Sequence, residues 1–384
     1  MAGMRANHRI VLLTPSLERG GAERTVVDIA VAMRRRGWDV SIASMAGGDS
    51  FLEELTNANV SVVSFGIRPG RLNLMGGCRL LNYLRRFRPH VIHAHMFHAN
   101  IVARVFGFIL GIPVVCTIHS VVESNRRKDT ASLRAAIYRF TDRGCFRTTA
   151  VSETVSERFV RDRIVSRGRI QAIPSFVDVN KFRLQPDRRA QVRKLMGWEP
   201  SFVWLAVGRL DKAKDYPNLI EAFRRLLDET PSARLAIVGE GAERGLLEPL
   251  IAQANLASSV MLLGLRTDIA DLMNACDAVV LASGWEGMPI ALLEAAACER
   301  LIVTTDVGGT SEIVLNNQTG FVVPAQNPEK LSRAMSLAAS LDSGQRERFG
   351  RLARDHVIRR YSSQAICDRY ELLYQESLKS RSAA

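Results

Sequence analysis

Glu286 and Glu294 lie eight residues apart in the run Glu286-Gly287-Met288-Pro289-Ile290-Ala291-Leu292-Leu293-Glu294. The apolar run Ala278–Ala282 ahead of it reads as a strand, and the residues after Pro289 read as a helix. Pro289 is expected in the first helical turn, where its missing N–H costs nothing. Glu286 then sits at the carboxyl end of the strand, with Glu294 about one and a half turns inside the helix. The free N–H groups of that first turn favour a phosphate. Two carboxylates beside an anion site suit a ligand that brings hydroxyls as well as negative charge. A nucleotide sugar brings both.

Other clusters fall at expected strand ends. Gly20-Gly21-Ala22-Glu23-Arg24 follows the strand Arg9–Thr14. Adjacent glycines let the backbone approach a ligand closely, and the helix opening near Ala22 turns its N-terminus to an anion. Gly208-Arg209-Leu210-Asp211-Lys212-Ala213-Lys214-Asp215 follows Val203–Val207. It offers Arg209 as a planar fork and Lys214, with Lys212 as the alternative, as a point charge for a departing anion. Gly239-Glu240-Gly241-Ala242-Glu243-Arg244-Gly245 follows Arg234–Val238 and reads G-x-G-x-x-x-G. No acidic residue closes the next strand, Val260–Leu263, so a dinucleotide-dependent oxidoreductase is disfavoured. His119 and Ser120 end the strand Val114–Ile118, and Ser152 follows Arg147–Val151. His93, His95 and His98 form H-x-H-x-x-H, a spacing that invites a metal.

These loops need a scaffold of alternating strands and helices. Further strands are expected at Asp39–Ser44, Val60–Ser64, Val91–His95, Leu301–Thr304 and Gly320–Val323, with helices such as Ala22–Arg36 and Arg79–Phe87 between them. Both halves share this βαβ grammar, which predicts an α/β protein with parallel sheets. The stretch Pro174–Pro200, with its prolines and dense charge, reads as a linker. Residues 345–361 and 363–378 read as closing amphipathic helices.

Composition narrows the class. A chain of 384 residues is too long for one ordinary core, and 47% hydrophobic with 24% charged residues marks it as globular. No apolar run reaches bilayer length, and Met1–Arg9 has no signal-peptide core. Six cysteines without a C-x-x-C pair predict a reduced, cytoplasmic setting. The net charge of +13 is uneven: residues 1–185 hold 28 Lys and Arg against 14 Asp and Glu, residues 186–384 only 24 against 25. No helix-turn-helix, RNA-recognition or zinc-finger signature accompanies that excess, so nucleic acid is not an expected partner and an anionic membrane surface is. Arg126-Arg127-Lys128 leads into Leu133, Ile137, Tyr138 and Phe140, an amphipathic stretch able to lie on lipid.

The motifs together resemble the retaining glycosyltransferases of family 4. The resemblance rests on E-x7-E with its flanks, Leu-Ala-Ser-Gly-Trp before and Glu-Ala-Ala-Ala after, and on Asp306-Val307-Gly308-Gly309-Thr310-Ser311-Glu312. The G-R-x-x-x-x-K segment at Gly208–Lys214 and the Gly20-Gly21 loop add to it. It implies the GT-B architecture, two Rossmann-like domains facing across a cleft: residues 1–182 on the acceptor side, 183–358 binding the nucleotide sugar, and 359–384 a helix packing back on the first. It also implies roles. Glu286 holds donor-sugar hydroxyls and Glu294 the ribose, while Arg209 and Lys214 grip the diphosphate. Gly239, Glu240, Gly241 and Arg266 wall the nucleoside, with Arg266 stacking on the base. Gly287, Met288, Pro289 and Ile290 present amides to the phosphates, Gly20 and Gly21 lie against phosphates and acceptor, and His119 sits near the reaction centre. Ser120 stands where many relatives carry Asp or Gly, and Ser175-Phe176 where they often carry Asn-Gly.

No metal or other cofactor is implied. Relatives without metal share the His-Ala-His segment, and no D-x-D triplet occurs in the chain. The expected reaction is retaining transfer of a hexose from a UDP-sugar, or a GDP-sugar, to a glycan or polyprenyl-diphosphate-linked acceptor in surface-polysaccharide assembly, with the protein cytoplasmic or peripheral on the inner membrane face. A nucleotide-sugar epimerase and a silent scaffold of the same fold are the rivals.

Overall fold

The computed structural model describes residues 8–67, 73–121 and 128–382. Two compact units divide the chain, Met1–Ser175 with Gln364–Ala384 and Phe176–Ser363. The first holds seven strands: β1 Arg9–Thr14, β2 Asp39–Ser44, β3 Ser61–Ser64, β4 Val91–His95, β5 Val114–Ile118, β6 Arg147–Ala150 and β7 Ile170–Ala172. They pair in parallel in the order β3-β2-β1-β4-β5-β6-β7. The inner strands are buried on both faces by flanking helices, which is why Ile10-Val11-Leu12-Leu13 reads as an unbroken apolar run. Strand order reverses between β1 and β4, and the crevice beyond their carboxyl ends is where such a sheet takes ligands.

The second unit repeats the plan with β8 Val203–Val207, β9 Arg234–Val238, β10 Val260–Leu262, β11 Ala278–Leu281, β12 Leu301–Thr305 and β13 Phe321–Val323. The order is β10-β9-β8-β11-β12-β13, again parallel, with the reversal between β8 and β11. Trp204, Leu210, Phe223, Leu235, Val280 and Leu331 anchor its core.

The closing helix, Ser363–Ser382, runs from Gln364 onward in the first unit. Tyr370 and Tyr374 are fully buried there. The Tyr374 ring meets Trp38 edge-on at 5.4 Å, and Arg36 pairs with Asp368 at 2.6 Å and Glu371 at 3.0 Å. Arg369 donates to the Ala172 carbonyl at the edge of the sheet.

Two local expectations fail. Strand β7 carries only three residues, too few for a periodic signal. Residues 176–200 are not a linker: they belong to the second unit and contain the helix Pro186–Met196, opened by Pro186 and stopped by left-handed Gly197 at φ 62°. Six of its eleven residues are polar and Val192 is its one buried apolar side chain, so the sequence shows no apolar stripe. It docks through arginines instead of an apolar stripe. Arg189 and Arg193 reach Asp277 at 2.5 and 3.0 Å, and Asp277 also accepts the Val203 N–H at 2.8 Å. Arg193 further donates to the carbonyls of Ala275, Trp198 and Ser201. No helix among the described residues is long and apolar enough to cross a membrane.

Asp277→Ala strands the buried Arg193 guanidinium without its counter-ion, a loss of about 3 kcal/mol. Urea unfolding of the variant should show a clearly lower midpoint for the second unit; an unchanged midpoint would mean the arginines re-pair elsewhere.

Candidate functional site

In the second unit the strand reversal sets the loop after β8 beside the loop after β11. The first runs from Gly208 to Asp215 and is built around Asp211, whose carboxylate accepts the Ala213 N–H at 3.1 Å and pairs with Arg209 at 2.9 Å. Left-handed Asp215, φ 47°, turns the chain into the helix Tyr216–Leu226. This folding carries Lys214 inward, so that its Nζ donates to Glu286 Oε1 at 2.5 Å, while Lys212 stays exposed. Glu286 Oε1 also accepts from Ser283 Oγ at 2.7 Å. The two loops are further joined by Gly284 N–H to the Ala213 carbonyl, 2.8 Å. Lys214 and Glu286 keep only 17% and 12% of their side chains exposed, so their attraction is weakly screened. Tyr216 donates to the Gly208 carbonyl at 2.9 Å; burial, then the charges of Asp211 and Glu286, push its hydroxyl up and keep it a donor.

Glycines make the close approaches that hold these loops. A Cβ on Gly239, φ 145°, would stand 2.0 Å from the Gly208 carbonyl oxygen, and one on Gly241 would stand 2.3 Å from that of Leu210. The backbones join instead through Leu210 N–H to Glu240 O and Glu243 N–H to Leu210 O. Beyond β12, Gly308 at φ 56° passes so close that a Cβ would lie 2.3 Å from the Glu286 carbonyl oxygen, and Gly309 N–H donates to Gly287 O at 2.8 Å. The backbone at Glu286 and Gly287 is thus held against the Gly308-Gly309 loop.

The helix after this turn spans Ile290–Ala297. Pro289 is its N-cap, at φ −76° and ψ 106°, not a residue of the first turn, and Glu294 is the fifth helical residue, slightly over one turn in. Extended ψ at Pro289 lets the Gly-Met-Pro step leave the strand before the helix begins. Pro289 accepts the Leu292 N–H at 3.1 Å, so the Ile290 and Ala291 N–H groups have no partner inside the helix. Arg266 is clamped by Asp268 through two bonds of 2.8 and 2.6 Å, which fixes the plane of its guanidinium. Glu240 pairs with Arg244 at 2.5 Å.

In the first unit, Gly20 caps the helix Gly21–Arg35 with extended backbone and no side-chain cap. Glu23 folds back over that end: a Cβ on Gly20 would lie 2.3 Å from Glu23 Oε2, and Ser16 Oγ donates to Glu23 Oε1 at 3.3 Å. A carboxylate therefore already lies against the amides expected to face an anion. Three imidazoles gather along β4 and just past β5. His93 bonds Tyr374 Oη and Thr117 Oγ1, both at 2.7 Å, and His95 Nδ1 meets His119 Nε2 at 3.0 Å. Burial pushes His93 and His119 down to about 3 and His95 well below its ordinary range, so all three are neutral at physiological pH. Among the described residues no group of three or more His, Cys, Asp or Glu side chains is placed to hold a metal ion.

Two family models match in tandem: "Glycosyltransferase Family 4" over residues 19–181 and "Glycosyl transferases group 1" over residues 187–356. The chain is a glycosyltransferase of the family 4 type. It is 28% identical over 262 residues, 67% of this chain and 68% of the relative, to the UDP-Gal:alpha-D-GlcNAc-diphosphoundecaprenol alpha-1,3-galactosyltransferase of Escherichia coli. It is 29% identical to the D-inositol 3-phosphate glycosyltransferase of Pseudarthrobacter chlorophenolicus, covering 66% of this chain and 64% of that one. In fold it matches Anabaena Alr3699/HepE, crystallised with UDP and glucose, at a TM-score of 0.86 and 22% identity over 96% of this chain and all of the other.

Within this glycosyltransferase the structure gathers Arg209, Lys214, Glu286 and the Gly287–Ile290 turn at one strand reversal, with Gly239, Glu240 and Gly241 on the adjoining loop. Gly20, Gly21 and His119 lie in loops that follow strands of the first unit. Spacing alone does not single out Asp211, Ser283, Tyr216 or Gly308, and it marks His95 only through the metal-like H-x-H-x-x-H run. A Gly-Gly pair quoted only as a flank, and a serine three residues before Glu286, were the available signals.

Gly308→Ala forces either the Glu286 carbonyl or the φ 56° turn to move, a strain of about 1–3 kcal/mol. Transfer activity should fall about five- to 150-fold for that energy, while circular dichroism keeps the wild-type spectrum; wild-type activity would mean that the Glu286 loop tolerates displacement. The histidines predict a pH dependence. Unfolded, they take up protons as pH falls through their ordinary 6.5; folded, His93 and His119 resist to about 3. Their stabilisation is complete above 6.5 and is lost as pH drops toward 3. Thermal unfolding between about pH 7 and pH 4 should fall more steeply for wild type than for His93→Gln.

Proposed function

We propose that the protein is a retaining, metal-independent hexosyltransferase that takes its sugar from a UDP-sugar and passes it to a glycan or polyprenyl-diphosphate-linked acceptor. The observation that carries this reading is the Lys214–Glu286–Ser283 cluster at the β8/β11 reversal. It puts a cation and an oriented carboxylate side by side where a sugar diphosphate needs both. Glu286 Oε2 takes no hydrogen bond from the described residues and is the oxygen we assign to donor-sugar hydroxyls; Glu294 is assigned to the ribose. The Anabaena protein binds UDP and glucose, and the Escherichia coli relative is named for UDP-galactose and a diphosphoundecaprenol acceptor, which supports both choices.

The sugar C1–oxygen bond breaks as the acceptor hydroxyl attacks from the same face. The leaving β-phosphate oxygen takes the acceptor proton, so no enzyme nucleophile is required. Charge growing on the diphosphate is met by Lys214, by Arg209 released from Asp211, and by the Ile290 and Ala291 amides. These cations stand in the role that a metal would fill. Arg266, held flat by Asp268, offers a face to the base, and Gly239, Glu240 and Gly241 line the nucleoside. To neutral His119 and the Gly20-Gly21 loop of the first unit we assign, on the family resemblance, roles toward the sugar and the acceptor. We place the protein on the cytoplasmic face of the membrane, in surface-polysaccharide assembly.

The test is a thermal-shift series with UDP, GDP, ADP and their hexose conjugates in EDTA, followed by transfer assays. UDP should stabilise wild type and Glu286→Gln alike, while Glu286→Gln loses transfer. Folded protein that responds to none of the nucleotides would leave the silent-scaffold alternative, and a freed epimer in the product would mean an epimerase.

A further inference from the structure

Two neighbouring helices of the first unit leave large apolar side chains in water. The helix Phe97–Leu110 buries Phe97, Ala99, Asn100, Ala103, Arg104 and Gly107, and shows Val105, Phe108 and Ile109 on its far side, Phe108 at 82% exposure. Its only charged side chain, Arg104, points inward to the Tyr138 carbonyl and Thr148. In the helix Lys128–Thr141, Tyr138 is fully buried, contrary to its expected place on a lipid-facing stretch, while Leu133 is 60% and Phe140 89% exposed. Arg126 and Arg127 lie outside the described residues.

The two helices lie side by side. The Arg134 guanidinium stands 4.8 Å over the Phe97 ring, Phe97 meets Tyr138 at 5.1 Å, and Asn100 Nδ2 donates to Tyr138 Oη at 3.0 Å. Contacts at residues 97, 100 and 104 on one helix and 134, 138 and 141 on the other define the seam. At 3.6 residues per turn, Val105 and Phe108 fall on the outer side of that seam, the same side as Leu133 and Phe140. The exposed side chains form one face. Isolated exposed apolar residues need no explanation, but a contiguous group of this size does.

The rim of the face is cationic. Arg139 and Arg143 are exposed, and the neighbouring Asp142 is buried and held by Arg169 at 2.7 Å. An approaching surface therefore meets hydrocarbon bordered by arginine. That combination suits the headgroup region of an anionic bilayer, where rings and aliphatic groups enter the acyl boundary and guanidinium groups meet phosphates. The geometry points to this two-helix face as the membrane-docking surface of the enzyme, with an anionic phospholipid bilayer as its partner. A helix of 14 residues, about 21 Å long, lies in the interface and does not span it. The inference rests on the proposed lipid-linked acceptor for its purpose but not for its geometry.

Flotation of the full chain with phosphatidylcholine vesicles, with and without phosphatidylglycerol, tests it without donor or turnover. Its failure is therefore distinct from failure of the transferase reading. Wild type should float with the anionic vesicles and detach at high salt. The double variant Phe108→Ser, Phe140→Ser, altered only at exposed positions and expected to melt like wild type, should bind about tenfold more weakly or not at all. Wild type that ignores both vesicles, or a double variant that floats as wild type does, would overturn the proposal. So would a wild-type dimer in gel filtration that the two substitutions dissociate without any vesicle binding, since a second copy would then be the occupant.

Discussion

The contact between Lys214 and Glu286 is the constraint around which the second unit is arranged. Opposite charges 72 positions apart in the chain meet at 2.5 Å, largely shielded from water. Withdrawing both from solvent is costly unless their remaining bonding capacity is used. Ser283 bonds the same carboxylate oxygen, and Gly284 and Gly287, before and after Glu286, are bonded from neighbouring loops. On the proposed reading, a diphosphate competes for the ammonium and sugar hydroxyls compete for the carboxylate. A site of that kind is oriented before the ligand binds, so less ordering is needed on binding.

Such orientation depends on backbones approaching more closely than side chains allow. Gly239, Gly241 and Gly308 each occupy a place where a Cβ would lie within about 2.3 Å of a carbonyl oxygen. The result is a set of loops tied to one another by main-chain bonds, Leu210 to Glu240 and Gly309 to Gly287, with the charged side chains projecting from a rigid base. Arg209 and Arg266 differ from Lys214 in this respect. Each is balanced by a nearby aspartate in partly open surroundings, where an ion pair contributes little and can exchange for a phosphate or stack on a base.

The first unit uses burial in place of charge. His93, His95 and His119 are kept neutral by the absence of water, and the closing helix completes that enclosure through Tyr370 and Tyr374. His119 therefore stands at its strand end as a hydrogen-bonding imidazole and not as a cation, with one ring nitrogen held by His95. The outward faces of two helices in the same unit carry large exposed apolar side chains, which no packing among the described residues explains.

By itself the sequence determined the alternation of strands and helices and the loops that carry chemistry, because apolar runs, glycine pairs and clustered charges are local signals. Most strands were legible to within a residue for that reason. The three-residue β7 was not, nor was the helix Pro186–Met196, which docks by arginine and so lacks the apolar stripe that marks a helix. Tertiary structure alone decided which groups meet. That Lys214 and not Lys212 reaches Glu286, that Gly308 must be glycine because Glu286 passes it, and that Tyr138 turns inward while Phe140 faces water, all follow from the reversal of strand order and the packing of helices upon it. Spacing along a chain shows which side chains share an element; only the folded sheet brings separate elements within bonding distance.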